Sequence, residues 1–217
     1  MKLLRKFNIL LLSLISGLFF SVPESYSLPI AHLTLQSQHG DYIGQGQNFD
    51  ITYTPENSDY FFPQVRRTTL GEPSELLFVL GTVTSGMDNT FALLFFGTDQ
   101  LGIPIQPGFY ANAERADFAS SGHPGLDVSF QNRGSNEVTG NFTIYNVSFS
   151  QSAAIATGSP IESFSVSFEQ HSEGAIPALF GTFTYDAFAS EVPEPSTMLL
   201  VGSGLTGLIV LRKRRKA

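Results

Sequence analysis

Two stretches decide the fold class of this chain, Phe164-Ser165-Val166-Ser167-Phe168 and Phe180-Gly181-Thr182-Phe183-Thr184-Tyr185. Large apolar and small polar side chains alternate through both, which is the period of a β-strand with one buried face. The same alternation occurs at residues 33–37, 49–53 and 142–149. No sustained 3.6-residue periodicity competes with it between residues 28 and 192, so the pattern predicts an all-β domain.

Two further runs, 76–80 and 91–96, are apolar almost throughout. They are too short for helices and predict central strands that are covered on both faces. Clusters of Gly, Pro, Asn and Ser separate the strands and give about nine or ten of them. We therefore predict an antiparallel two-sheet β-sandwich at residues 28–186, with most of the 20 phenylalanines in its core.

The composition excludes several classes of protein. Of the 217 residues, 14% are charged and none is Cys. An average soluble domain carries about 25% charged residues, and both disordered acidic tails and nucleic-acid binders need dense charge. Without Cys, a disulfide scaffold, a zinc-thiolate site and a thiol nucleophile are excluded.

The charge is unevenly distributed along the chain. Residues 28–192 contain four arginines, no lysine and 17 acidic residues, a net charge of −13, whereas both termini are basic. A domain this acidic repels phosphate backbones and anionic lipid, so we expect no nucleic-acid partner. Cations and neutral glycans remain open as ligands.

The N-terminus has the form of a secretory signal peptide at residues 1–27. Lys2, Arg5 and Lys6 precede an apolar run at 9–20, and small residues follow up to Ser27. The apolar run is shorter than the about 20 residues that a membrane span needs, so we expect a signal helix that the Sec machinery handles and that is cleaved after Ser27.

The C-terminus has three consecutive parts after a short linker at 187–192. These are Val192-Pro193-Glu194-Pro195-Ser196, an apolar run at 198–211, and the basic cluster Arg212-Lys213-Arg214-Arg215-Lys216. A helix at 197–211 would be about 22 Å long, which predicts a short transmembrane helix. The basic cluster would stay on the cytoplasmic side.

Residues 193–217 resemble the PEP-CTERM sorting signal of Gram-negative bacteria, because the Pro-Glu-Pro motif, the Gly-containing apolar helix and the basic terminus occur in the same order. The resemblance implies that an exosortase, a polytopic membrane protease, recognises the Pro-Glu-Pro region and removes the tail. It also implies an inner-membrane-anchored precursor that is then delivered to the outer cell surface or to the exopolysaccharide matrix.

The domain itself resembles a module of bacterial secreted proteins to which no activity is assigned. The similar segments are 33–35, 40–47, 124–128 and 168–181. Members of that module usually carry Cys at the positions of Ser135 and Ser172. The resemblance implies that a disulfide was lost here, and that the loop around Ser135 lies beside the last hairpin near Ser172.

Few residues are candidates for ligand binding. Glu169, His171 and Glu173 alternate, so in a strand they would share one face and could bind a divalent cation. A solvated strand end followed by a turn explains the same residues. Asp41 and Tyr42, in a Gly-rich segment, could contact a sugar or could serve turn formation. We predict no cofactor.

No catalytic motif is recognisable, and the Gly-x-Ser-x-Gly nucleophile elbow is absent from the sequence. We therefore expect a non-enzymatic structural or adhesion protein of the cell surface or the exopolysaccharide. The first alternative is a carbohydrate-binding module with a row of exposed aromatic residues, for which the candidates are Tyr42, Tyr53, Tyr60 and Tyr110. The second is a matrix polysaccharide hydrolase with two facing carboxylates, whose separation a sequence does not reveal.

Overall fold

A computed structural model describes residues 28–85, 89–150 and 159–189. These residues form ten β-strands and two short 3-10 helices, at Asp99–Leu101 and Ala116–Phe118. The prediction of an all-β domain is confirmed. The strands are β1 (Leu28–Ser37), β2 (Asn48–Tyr53), β3 (Tyr60–Thr69), β4 (Glu72–Gly81), β5 (Ala92–Gly97), β6 (Gly108–Arg115), β7 (Gly125–Phe130), β8 (Val138–Phe149), β9 (Ile161–Ser172) and β10 (Ala178–Ala189).

All ten strands belong to one mixed sheet in the order β2-β1-β10-β9-β8-β6-β7-β5-β4-β3. The sheet curves until it is nearly closed into a barrel, so the predicted two-sheet sandwich is wrong. The reason lies in β6, which pairs with β8 on one side and with β7 on the other and thereby joins what would be two separate sheets. Alternation shows that one face of each strand is buried, but it does not distinguish a sandwich from a barrel.

The junction between β6 and β7 is the one parallel pairing of the described sheet, and it is short. It holds Glu114 opposite Gly125 and Arg115 opposite Leu126. Beyond it, the buried side chain of Gln170 on β9 replaces the missing backbone partner of β7. Its Oε1 accepts from the backbone N–H of Val128 at 2.7 Å, and its Nε2 donates to the carbonyl of the same residue at 2.9 Å. One side-chain amide thus satisfies two backbone groups inside the core.

The core is built from aromatic rings that meet across the barrel. Phe78 on β4 stacks on Phe164 of β9 at 5.5 Å between ring centroids and lies edge-on to Phe183 of β10 at 4.7 Å. Phe96 on β5 meets Phe142 of β8 at 5.6 Å. Such pairs add roughly 0.5–1.5 kcal/mol each beyond the burial of their area, so they stabilise the contact between the two sides of the barrel.

The predicted strand environments are correct in part. Leu76, Leu77 and Phe78 of β4 are all buried, as expected for a strand covered on both faces, whereas β5 alternates between buried and half-buried residues. Of the 17 phenylalanines of the described residues, eight are buried and two more, Phe49 and Phe149, pack against the core, so a majority of those described belong to it, as predicted; five are exposed. The exposed ones are Phe62, Phe109, Phe118, Phe180 and Phe188.

The end of the domain lies slightly later than predicted. The predicted linker begins at residue 187, whereas β10 continues to Ala189, which pairs with Leu28 of β1. Ala187 is buried because it belongs to the inward-facing side of the strand. The predicted signal helix at 1–27, the remainder of the linker and the tail at 193–217 lie outside the described residues. Within the described residues, no helix is long and apolar enough to cross a membrane.

Candidate functional site

The outward-facing side of β1, β10, β9, β8 and β6 carries a continuous row of small hydroxyl side chains. The strand registers place these residues side by side, because each is the direct partner of the next across the ladder. The row ends at an exposed aromatic ring, Phe109. We call this surface the hydroxyl face, and its central row is Thr34, Thr182, Ser167, Thr143 and Phe109.

A second row runs parallel to the first and contains larger side chains. Gln36, Phe180, Glu169 and Asn141 are paired in that order across β1, β10, β9 and β8. Seven residues of the two rows line a shallow cavity of about 320 Å³, namely Thr34, Thr182 and Ser167 of the first row and all four of the second. The backbone positions of Phe168 and Gly181 complete its lining. The cavity therefore has one aromatic ring, several hydroxyls and two amide side chains around it.

The polar groups at this cavity are held by one another. The Oγ1 atoms of Thr34 and Thr182 are 2.7 Å apart. Asn141 Nδ2 donates to Glu169 Oε2 at 3.1 Å, and His171 Nε2 lies 3.1 Å from the other oxygen of the same carboxylate. Both oxygens of Glu169 are thus engaged. The arrangement supplies oriented donors and acceptors that need little reordering when a polar ligand binds.

The apolar element of the hydroxyl face is Phe180. Its side chain is 37% exposed and stands on β10 between Gln36 and Glu169. Tyr145 is also exposed on this face, and its hydroxyl is 2.9 Å from Ser167 Oγ. Flat rings beside hydroxyl and amide groups match molecules that have an apolar face and a polar rim.

The three alternating residues of the sequence prediction do not form one cluster. Glu169 and His171 are neighbours on the outward side of β9. Glu173 follows the end of β9 with a positive φ of 53°, and its Oε1 accepts a hydrogen bond of 2.5 Å from the backbone N–H of Asn136. The prediction that Glu173 shares the strand face is wrong because the chain turns there. Among the described residues, no three potential metal ligands come together.

The side chain of Asp41 stabilises the connection between β1 and β2. It is buried, and its carboxylate accepts hydrogen bonds from Ser37 Oγ at 2.7 Å and from the backbone N–H of Gly44 at 2.8 Å. This is the Asx-type bonding that we considered as the alternative to a sugar contact. The neighbouring Tyr42 is exposed.

The predicted row of aromatic residues is wrong for two of its four members. Tyr53 and Tyr110 are buried, and their hydroxyls donate to the carbonyls of Thr90 and Gln106, each at 2.8 Å. Burial raises the pKa of both phenols. Three exposed aromatic residues, Phe109, Phe180 and Tyr145, are not among the four predicted ones. Strand parity contained a signal for Phe180, because Phe183 and Tyr185 share one face of β10 and Phe180 lies on the other.

The predicted proximity of the two serines is observed. Ser135 Oγ donates to Ser172 Oγ at 2.7 Å, and both residues are 3% exposed. Ser172 lies at the end of β9, where the last hairpin begins. That a disulfide once joined these positions stays a prediction.

The comparison with known families concerns the C-terminus. Residues 191–215 match the family model for the PEP-CTERM protein-sorting motif. The protein is an exosortase substrate. The match includes the motif Val192-Pro193-Glu194-Pro195-Ser196 and the basic residues from Arg212 to Arg215, whereas Lys216 follows it. All of these residues lie outside the described part of the chain.

PEP-CTERM proteins are exported and become associated with the membrane or the cell surface through an exosortase. The motif accounts for 25 residues and says nothing about the β-barrel domain that it sorts. The chain matches no curated protein and no solved structure. The identity of the sorted domain must therefore be argued from its own surfaces.

Away from the hydroxyl face, this PEP-CTERM protein has a buried carboxylate beside two arginines. The side chain of Glu75 on β4 is 0% exposed, and its Oε1 lies 3.9 Å from Arg66 Nε and 3.8 Å from Arg67 Nε. Neither oxygen has a hydrogen-bond partner within the described residues. Burial raises the pKa of Glu75, and Arg67 offsets this in part.

Arg67 is shared with other carboxylates, since its Nη1 donates to Asp99 at 2.7 Å and its Nη2 to Asp117 at 3.4 Å. On β7, burial also raises the pKa of Asp127, which accepts a hydrogen bond of 3.1 Å from Arg115. Neither Glu75 nor Asp127 lines the cavity of the hydroxyl face.

Proposed function

We propose that this exosortase substrate is delivered to the cell surface or to the exopolysaccharide matrix, where it acts without catalysis as an adhesion or matrix component that binds neutral polysaccharide. The observation that carries the proposal is the hydroxyl face. There, Phe180 stands beside hydroxyls and amides around a cavity of about 320 Å³.

The chemistry of this face fits a sugar ring. The C–H face of a pyranose is apolar and packs on an aromatic ring, while its hydroxyls exchange hydrogen bonds with amide and hydroxyl side chains. The cavity is at the small end of the range for ligand sites, which suits one or two rings of a longer chain. It is also open and lies on a sheet surface, so a polymer can continue beyond it on either side.

The charges favour a neutral polysaccharide at this face. Glu169 is the one carboxylate among the residues that line the cavity, and Asn141 and His171 already engage its two oxygens. The lining contains no arginine that would attract an anion. A negatively charged polysaccharide would be repelled by this carboxylate and by the net negative charge of the domain.

A single carboxylate also supports the non-enzymatic reading. Hydrolysis of a glycosidic bond normally uses two carboxyl groups, about 5–9.5 Å apart, on either side of the bond. The carboxyls with raised pKa, Glu75 and Asp127, lie on other strands and do not line this cavity. No observation on the described residues favours the hydrolase over the binding protein.

The test is a glycan array probed with the full-length protein, followed by titration of the best neutral oligosaccharide. We expect Phe180→Ala to weaken that binding at least tenfold, which corresponds to about 1.4 kcal/mol. Phe188→Ala is the matched control, because Phe188 is exposed on the same side of the same strand but is absent from the cavity lining. Equal binding by Phe180→Ala and the wild type, or no binding of any neutral glycan, would overturn the proposal.

A further inference from the structure

A second cavity, of about 410 Å³, opens at one end of the barrel. Its walls come from three connections, β1–β2, β4–β5 and β7–β8, and from the start of β2. Most of the described side chains that line it are amides, and no carboxylate is among those described. This is unexpected in a segment with 17 acidic residues. We call it the amide cavity, and the residues used below are Gln47, Phe49, Gln131, Asn132 and Arg133.

Among the described residues that line the amide cavity, Arg133 is the one arginine. Its Nε donates to the carbonyl of Ile43 at 2.7 Å and its Nη2 to Gln131 Oε1 at 2.9 Å, so the guanidinium is held in place. Among the described residues, no carboxylate lies within ion-pair distance of it.

The other three arginines of the domain are all neutralised. Arg66 and Arg67 share Glu75, and Arg115 pairs with Asp127 at 3.1 Å. Arg133 is therefore the one positive charge of the domain that the described residues leave without a counter-charge. Carboxylates outnumber arginines about four to one in this segment, yet none of those on the described residues forms an ion pair with it. An anionic ligand would supply the missing charge.

The backbone around Arg133 is held in an uncommon conformation. Gln131 and Asn132 have φ values of 51° and 63°, and Gln45 on the facing connection has 53°. Non-glycine residues in this region cost roughly 1 kcal/mol or more each. Half of the six non-glycine residues with positive φ in the described chain line this one cavity. The strain places polar side chains around the guanidinium.

We propose that the amide cavity binds a uronic-acid residue of an acidic polysaccharide. Arg133 takes the carboxylate of the sugar in a charge-assisted pair. The amides of Gln47 and Asn132 exchange hydrogen bonds with the ring hydroxyls. Phe49, whose ring packs on buried Phe130 at 4.6 Å between centroids, provides an apolar wall. The net negative charge of the domain does not prevent binding of the uronate, because salt at physiological ionic strength largely screens charges more than about 8 Å away.

This second site rests on the proposed role in a polysaccharide matrix, but it uses none of the residues of the hydroxyl face. The two sites differ in the charge of the sugar that they take. A protein with one site of each kind connects neutral and acidic chains of the same matrix.

The decisive variant is Asn132→Asp. The substitution is isosteric, Asp tolerates a positive φ as Asn does, and the side chain of Asn132 makes no hydrogen bond within the described residues. The new carboxylate neutralises Arg133 and repels the ligand. The control is Asn112→Asp, because Asn112 has the same backbone conformation with a φ of 55°, is exposed on β6 and does not line the cavity.

The measurement is titration calorimetry of the full-length protein with trimers of galacturonate and of mannuronate, with mannotriose and with acetate. We expect at least one uronate trimer to bind, mannotriose and acetate to bind at least tenfold more weakly in this cavity, and Asn132→Asp to reduce the uronate affinity at least tenfold. Asn112→Asp should bind as the wild type does. Thermal unfolding of both variants establishes that they are folded.

Three results would overturn the proposal. They are failure of both uronates to bind, an equal effect of the two Asn→Asp variants, and displacement of the uronate by equimolar acetate. Phe180→Ala separates this outcome from that of the hydroxyl face, because it should weaken neutral glycans and leave the uronate affinity unchanged. If no neutral glycan binds but a uronate does, the proposal for the amide cavity stands and that for the hydroxyl face fails. If a neutral glycan binds but no uronate does, the outcome is the opposite.

Discussion

The hydroxyl of Ser135 donates a hydrogen bond of 2.7 Å to the hydroxyl of Ser172, although the two residues are 37 positions apart in the chain. Both side chains are buried, and the bond ties the β7–β8 connection to the end of β9. Nearby, Glu173 accepts from the backbone N–H of Asn136, which strengthens the same junction. The contact adds to the backbone pairing there, in which Ser172 is the partner of Val138 and the N–H of Glu173 donates to the carbonyl of Glu137 at 2.9 Å.

The Ser135→Cys/Ser172→Cys double variant should form a disulfide. The two Oγ atoms are already in contact, and a bridge would close a loop of 37 residues, for which chain entropy gives roughly 4 kcal/mol of stabilisation. Urea unfolding with and without a reductant measures the difference. Each single Cys variant is a control and should show no dependence on the reductant. A double variant that stays reduced in air, or that is less stable when oxidised, would contradict this expectation.

Gln170→Leu should destabilise the domain by roughly 2–4 kcal/mol. It removes two hydrogen bonds and leaves the N–H and carbonyl of Val128 buried without partners. Gln64→Leu, an exposed position on the edge strand β3, should change stability by less than about 0.5 kcal/mol. Chemical denaturation with one spectroscopic probe compares the two. Similar effects at both positions would mean that Gln170 does not hold β7 to β9.

Glu75→Gln should stabilise the domain at neutral pH, by roughly 1 kcal/mol. Burial raises the pKa of Glu75 in the folded state, so folding disfavours the charged form. The contribution of the protonated Glu75 carboxyl to the stability of the fold is fully present below the ordinary pKa of glutamate. It is lost as the pH rises through the raised pKa of the folded state. The advantage of the variant, which mimics the neutral form, therefore grows with rising pH.

Unfolding free energies of the wild type and Glu75→Gln at pH 4 and pH 8 test this dependence. Glu72→Gln is the matched control, because Glu72 is an exposed glutamate at the start of the same strand. We expect its difference from the wild type to be small at both values. If the stability of Glu75→Gln relative to the wild type falls between pH 4 and pH 8, the two arginines outweigh burial and the ionised carboxylate stabilises the fold.

Replacing Pro193, Glu194 and Pro195 by alanine should block removal of the C-terminal tail. The three residues are part of the matched sorting motif, which implies processing by an exosortase. Expression in a Gram-negative host that has an exosortase, followed by mass spectrometry of the surface fraction, measures processing. The wild type in a host without exosortase should accumulate the same uncleaved form. Normal cleavage of the alanine variant would show that another segment directs sorting.

Several features of this protein can be predicted from contiguous residues alone. Alternation in segments such as 164–168 establishes the strands, because the period of a side-chain pattern depends on the local backbone alone. The sorting motif is recognisable from the sequence because it is one contiguous segment, residues 191–215. The buried state of Phe78 follows from the apolar run at 76–80, and that of Phe164 from the alternation at 164–168.

Contacts between distant strands decided the rest. Whether alternating strands form a sandwich or a nearly closed barrel depends on β6, which pairs with two different neighbours. Strand register placed Phe180 beside the row of hydroxyl side chains. It also buried Tyr53 and Tyr110, although the sequence made them candidates for an exposed aromatic row. Arg133 could not be singled out from the other arginines, because the distance to a carboxylate exists only in the folded chain. Local periodicity fixes which face of a strand is buried, whereas pairing over long sequence separations determines which residues that face meets.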